Sequence, residues 1–131
     1  MDQKNILVVD DNQTIVAIVR ETLKSEGYTV CCVYSGQEAL EHLEKQTPDL
    51  IILDVMMPQM SGMEVLNKIK ASSKTSSIPV IMLTVNDKHE DVLEAYKAGA
   101  EYYITKPFRP RELILNIQRV LRREKQMSVG N

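Results

Sequence analysis

Leu50-Ile51-Ile52-Leu53-Asp54-Val55-Met56-Met57-Pro58 is the stretch on which the fold turns. Its first four residues are apolar without alternation, the pattern of a strand buried on both faces of a parallel sheet rather than one with a wet side. Such a sheet needs helices on both faces, and the flanking chain supplies them. Upstream, Ser35-Gly-Gln-Glu38 reads as a capping box opening a helix with Ala39, Leu40 and Leu43 inward, stopped by Pro48. Downstream, an unusually apolar loop runs to Gly62, and the helix after it carries Met63, Leu66 and Ile69 on one face.

The same unit repeats outward from this centre. Ile6 to Val9 is another continuously apolar strand, and Gln13 to Glu26 follows with Ile15, Val19 and Leu23 at helical spacing before Gly27. Thr29 to Tyr34 is rich in strand formers. A polar connection, Ser72 to Ser77, leads into the strand Val80 to Leu83 and a helix over Asp87 to Ala98 closed by Gly99. Tyr102 to Ile104 makes a short fifth strand, and Pro110 suits the first turn of a last helix with Leu113, Ile117, Val120 and Leu121 inward. Five strand–helix rounds predict an α/β fold with a doubly wound parallel sheet. Residues 1–124 are expected to form one unit, with 125–131 a flexible tail or truncated linker.

Composition excludes other classes. The 131 residues are 44% hydrophobic and 26% charged, ordinary globular usage for a chain of one-domain length. Sixteen basic and 18 acidic residues are interspersed, so no basic stripe marks a nucleic-acid binder. The longest apolar runs fall far short of the ~18 residues of a membrane span. Met1 is not followed by a charged-then-apolar signal segment. Adjacent Cys31 and Cys32 suit neither a structural disulfide nor a zinc site, and a reducing cytosol is the natural compartment.

In open parallel sheets ligands bind beyond the carboxyl ends of the strands. Strand one ends in Asp10-Asp11, strand three in Asp54, strand four in Thr84, and strand five runs through Thr105 to Lys106-Pro107. Three carboxylates at one rim repel one another unless a cation neutralises them. An all-oxygen donor set favours a hard cation, and magnesium in particular keeps waters and bridges to phosphate oxygens. That chemistry points to phosphoryl transfer, with Asp54 as acceptor nucleophile, Lys106 as the charge facing a phosphate oxygen and Thr84 as hydroxyl donor.

Singly, these residues have plainer explanations. Asp10 and Asp11 read first as helix-capping acids ahead of Gln13, and Asp54 reads as evenly as a turn residue. Thr84 reads as a strand former, Lys106 as a solvated surface lysine and Lys106-Pro107 as an ordinary trans bond. His42 and His89 are assigned no role, and the seven methionines read as core fillers. Only the joint placement at one rim favours chemistry.

Val8-Val-Asp-Asp11, Ile52-Leu-Asp-Val-Met-Met-Pro58 with Ser61-Gly62, Val80-Ile-Met-Leu-Thr84, Ala98-Gly-Ala100 and Tyr103-Ile-Thr-Lys-Pro-Phe108 stand in an order that resembles the receiver domains of bacterial two-component response regulators. The resemblance covers Ile6 to about Arg123. It implies a flavodoxin-like strand order 2-1-3-4-5 and phosphorylation of Asp54. It further implies Mg2+ held by Asp10, Asp11, Asp54 and the Met56 backbone carbonyl. Thr84 then matches the switch hydroxyl, Tyr103 the rotating aromatic, Lys106 the phosphate-contacting lysine and Pro107 the position usually preceded by a cis bond. The implied partners are a sensor histidine kinase or a histidine phosphotransfer protein, with a phosphorylation-dependent homodimer and no direct nucleic-acid or membrane contact.

Val85 departs from the small residue usual after the threonine, and its bulk is expected to narrow access to Asp54. Met56 and Asn86 match positions that tune phosphate lifetime. Phe108-Arg-Pro-Arg-Glu-Leu113 resembles regulators of the winged-helix class, although Tyr102 replaces an acid usual there. Three rivals share the architecture. An aspartate-nucleophile phosphatase would place an acid where Met56 stands; a flavin carrier would need a phosphate cradle where Asp10-Asp-Asn12 stands; an unphosphorylated interaction module would tolerate loss of the acids or lysine.

Overall fold

The computed structural model describes residues 3–85 and 89–129, with side chains of 89, 90 and 124–129 excepted. Five strands, β1 (Asn5–Val9), β2 (Thr29–Val33), β3 (Leu50–Asp54), β4 (Val80–Thr84) and β5 (Tyr102–Thr105), alternate with helices α1 (Gln13–Ser25), α2 (Gly36–Lys45), α3 (Gly62–Ala71), α4 (His89–Lys97) and α5 (Pro110–Val129). Every strand pairing is parallel, in the order β2-β1-β3-β4-β5. This is the flavodoxin-like doubly wound sheet that the sequence and its resemblance imply.

The apolar runs explain the layering. β3 and β4 are buried along their whole length, whereas the edge strands β2 and β5 are only half-buried. Alternate residues point to opposite faces. Leu7, Val9, Ile51, Leu53 and Met82 meet Leu43, Val65, Leu66, Ile69 and Ala95 of α2, α3 and α4. Ile6, Val8, Ile52, Ile81 and Leu83 meet Val16, Val19 and Leu23 of α1 and Leu113, Ile114 and Ile117 of α5. Burying one such side chain stabilises the fold by roughly 1.5–3 kcal/mol, so two continuous layers hold the rim in place.

Helix ends follow their residues. Gly27 at φ +91° and Gly99 at φ +109° close α1 and α4. In each case the next residue's N–H donates back into the helix, from Tyr28 to the Leu23 carbonyl and from Ala100 to the Ala95 carbonyl. The expected capping box at Ser35 differs in detail. Ser35 accepts from the Glu38 N–H, but the Glu38 carboxylate accepts from Tyr34 N–H rather than from Ser35. A reciprocal box forms instead between Ser61 and Glu64 at the start of α3.

Two expectations meet a different outcome or none. The backbone of 125–129 is helical, where fraying is expected, because α5 runs to Val129. Arg122-Arg-Glu-Lys-Gln-Met127 consists of strong helix formers without glycine or proline, which carries the turn onward. Asn86 and Asp87, the expected approach to α4, lie outside the described residues. Among the described residues no helix is long and apolar enough to cross a membrane.

Candidate functional site

Because all five strands run the same way, their carboxyl ends emerge on one rim. Asp10 follows β1, Asp54 ends β3 and Lys106 follows β5. The structure brings Asp10, Asp11, Asp54, Met56 and Lys106 around one recess, joined by Asn12 and Val85. A carboxylate oxygen from each of Asp10, Asp11 and Asp54 lies within 4.8 Å of the others. Asp10 and Asp54 are buried and Asp11 is exposed. Lys106 Nζ donates to Asp10 Oδ2 at 2.8 Å and to Asp54 Oδ1 at 3.2 Å.

Capping does not explain the acids. Asn12 caps α1, its side-chain oxygen accepting from Ile15 N–H at 3.1 Å. Asp10 Oδ1 accepts from Asn12 N–H at 2.9 Å, which fixes the carboxylate's outer face and leaves Oδ2 for the lysine. The sequence assigns Lys106 to a phosphate oxygen alone, yet it already bridges two buried acids. That pairing joins residues 96 and 52 positions apart and has no local signature.

Electrostatics single out Asp54. Burial foremost, then the charge of Asp10, raises its carboxyl from 3.8 to about 6, against the opposing pull of Lys106. For Lys106, burial works against the ammonium, but hydrogen bonding and charge from Asp10, then Asp54, together outweigh it and hold its pKa up. Three carboxylates and one ammonium leave two uncompensated negative charges at a site with only oxygen donors. A hard divalent cation fits that charge and that donor set.

The loop after Asp54 is held close by packing that only glycine permits. Gly62 N–H donates to Val55 O at 2.8 Å. A Cβ on Gly62 would run into the Asp54 carbonyl oxygen and stand 2.7 Å from Val55 Cα. Gly62→Ala is therefore expected to displace the Asp54 backbone and lower stability by about 1–3 kcal/mol, the usual cost of overpacking, as urea denaturation would measure. An unchanged midpoint would show that the loop yields without strain.

Thr84 and Tyr103 do not line the recess. Thr84 is fully buried at the end of β4, opposite Thr105, and Tyr103 is half-buried opposite Met82. Two-residue periodicity puts Thr84 and Tyr103 on the same sheet face, under α4, with Tyr103 packed on that layer's core. The Lys106–Pro107 bond is cis, as the resemblance implies and the local reading does not. Met56 and Val85 are 60% and 65% exposed at the mouth of the recess.

A 2-1-3-4-5 parallel sheet with this acidic rim and bridging lysine defines the receiver domains of two-component response regulators. The chain matches the response regulator receiver domain over residues 6–118 and belongs to that family of regulatory signalling domains. It is 41% identical over 120 residues, 92% of this chain, to the alkaline phosphatase synthesis transcriptional regulatory protein PhoP of Bacillus subtilis (strain 168). The match covers 49% of that protein, so the chain spans about half the length of this curated relative. A CheY-like receiver domain protein from Methanospirillum hungatei JF-1 superposes with TM-score 0.90 at 31% identity, over 96% of this chain and 99% of that one. Chemotaxis response regulator CheY4 of Vibrio cholerae gives 0.86 at 36% identity, over 91% and 99%.

Proposed function

We propose that the domain is a phosphoacceptor switch in which Asp54 receives a phosphoryl group from a phosphohistidine of a sensor histidine kinase or histidine phosphotransfer protein. The observation that carries this is the convergence of Asp54 with Asp10, Asp11 and Lys106 in one open recess. Residues 1–124 act as the receiver unit.

A carboxylate oxygen of Asp54 forms the new O–P bond as the P–N bond to the donor imidazole breaks, and the imidazole keeps the electron pair. Asp10, Asp11, Asp54 and the Met56 backbone carbonyl would hold Mg2+, which would supply positive charge for the phosphoryl oxygens. Lys106 shifts from its Asp54 contact to a phosphoryl oxygen while retaining Asp10. Thr84 donates its hydroxyl to another oxygen, and Tyr103, on the same sheet face, follows inward to reshape the surface around α4 and β5. An apolar, exposed Met56 stands where an aspartate-nucleophile phosphatase would place its second acid, so the phosphorylated state serves as a signal rather than a hydrolytic intermediate.

To test this, a phosphorylated histidine phosphotransfer protein carrying radiolabel is mixed with the chain. Label is expected to move to the chain only with magnesium and to be released by hydroxylamine, as an acyl phosphate would be. Label that stays on the donor, or that resists hydroxylamine, would contradict the reading.

Val85 sets the entry rate. Its exposed side chain at the mouth crowds the approach to Asp54, so Val85→Ala is expected to raise the rate of phosphorylation by acetyl phosphate severalfold without altering stability beyond about 0.5 kcal/mol. Stopped-flow kinetics would show it, and an equal rate would assign the limit elsewhere. Phosphorylation further favours a homodimer through the face of α4, β5 and α5, where Leu93 and Tyr96 of α4 are exposed. Sedimentation with beryllofluoride should show the dimer; an unchanged monomer would remove it.

A further inference from the structure

Toward the amino-terminal half of the sheet, away from the acidic rim, Cys31 Sγ lies 3.7 Å from Nδ1 of His42. β2 alternates along its length. Thr29 and Cys31 are exposed, while Cys32 turns to the opposite face and packs against the layer of α1 and α5. Cys31 and His42 share a recess with Asn5, Thr29, Gln46 and Thr47. It has no lining residue in common with the acidic recess. Cys31 stands opposite Leu7, three positions before Asp10.

We propose that Cys31 and His42 form a thiol-modification site that takes small disulfide-bearing oxidants. A thiolate is the reactive form of cysteine, and an exposed thiol within hydrogen-bond reach of an imidazole is the arrangement that generates it. With its proton on Nε2, His42 accepts the Cys31 proton at Nδ1. Sγ then attacks one sulfur of the incoming disulfide, forming a new S–S bond. The reagent's own S–S bond breaks, and the released thiolate takes up the proton. Cys31 ends oxidised as a mixed disulfide, and half of the reagent ends reduced as a thiol.

The neighbour makes the site selective and its adduct lasting. Cys32 is half-buried, and burial foremost pushes its thiol up, so it is the slower nucleophile. Because it points to the other face of the strand, it is poorly placed to displace the adduct from Cys31, which persists until an external thiol arrives. No other lining residue ionises. Of the charged groups nearby on α2, Glu38 is engaged by Tyr34 N–H and Glu41 by Gln37, while Lys45 lies in the last turn. Asp49 is engaged by Asn5 N–H.

The test follows the reaction of the reduced protein with an aromatic disulfide, and with oxidised glutathione, across pH. Cys31 is expected to form the first adduct, on the order of tenfold faster than Cys32, with Cys31→Ser and Cys32→Ser assigning each phase. His42→Gln is expected to slow the Cys31 phase about tenfold at neutral pH and to converge with wild type in alkali, where the thiol ionises unaided. A merely structural histidine would not give that convergence. Modification of Cys32 first, or a Cys31 profile unmoved in His42→Gln, would overturn the proposal. If that variant fails to fold, His42→Asn is compared with wild type in the same way, and an unmoved Cys31 rate there would equally overturn it.

Discussion

Replacing Lys106 with methionine is expected to cost the metal-free domain about 3–5 kcal/mol of folding stability at neutral pH, the usual consequence of removing one member of a buried ion pair. Lys106 Nζ contacts both Asp10 and Asp54, which are 1% and 4% exposed. Without it, two buried carboxylates face each other uncompensated. Part of the loss should return on adding millimolar magnesium, because a divalent cation held by the same acids restores the missing charge and binds only the folded form. Part should also return in mild acid, where Asp54 takes up a proton. Urea denaturation with and without magnesium would measure both recoveries. A variant as stable as wild type would mean that water already screens the pair.

Asp54→Asn should move stability the other way. Its carboxyl titrates at about 6 in the folded protein against an ordinary 3.8, so the folded form holds this proton more tightly than the unfolded form does. The group's favourable contribution is fully present below 3.8 and lost as the pH rises through about 6. At neutral pH the charged carboxylate therefore opposes folding, by at most about 3 kcal/mol from that difference. The amide removes this penalty, and the variant should unfold at higher urea than wild type at pH 7 without metal. The gap should close in acid. It should also narrow with magnesium, which stabilises only the carboxylate form. If Asp54→Asn is less stable than wild type at neutral pH, the lysine contacts outweigh the burial of the charge.

The two predictions oppose each other because the same recess is arranged for a ligand. The clustered acids cost stability that a bound cation or phosphoryl group returns. That difference between liganded and unliganded states is what a switch needs, since a ligand shifts a conformational equilibrium only by its differential affinity.

Much of this was legible in the sequence. Leu50 to Leu53 and Val80 to Leu83 had to be central strands, because continuous apolar runs of that length find full burial only inside a two-layered parallel sheet. Given such a sheet, Asp10, Asp11, Asp54 and Lys106 had to emerge on one rim. The remainder depends on contacts between distant segments. Asn12, not either aspartate, caps α1, and this became visible only when Asp10 was seen bound to Lys106. Gly62 must be glycine because the carbonyl of Asp54 occupies the space of its missing side chain, a contact no local pattern encodes. Thr84 and Tyr103 share a face because of strand register, which no local pattern encodes. Likewise Cys31 meets His42 only when α2 folds back over β2.

The central claim rests on Asp54 as the acceptor. Incubating the protein with acetyl phosphate and magnesium and weighing it intact tests that claim most directly. One phosphoryl adduct on the wild-type chain, absent from Asp54→Asn and from wild type with the metal chelated, is the predicted result. No adduct on wild type, or an equal adduct on Asp54→Asn, would contradict it.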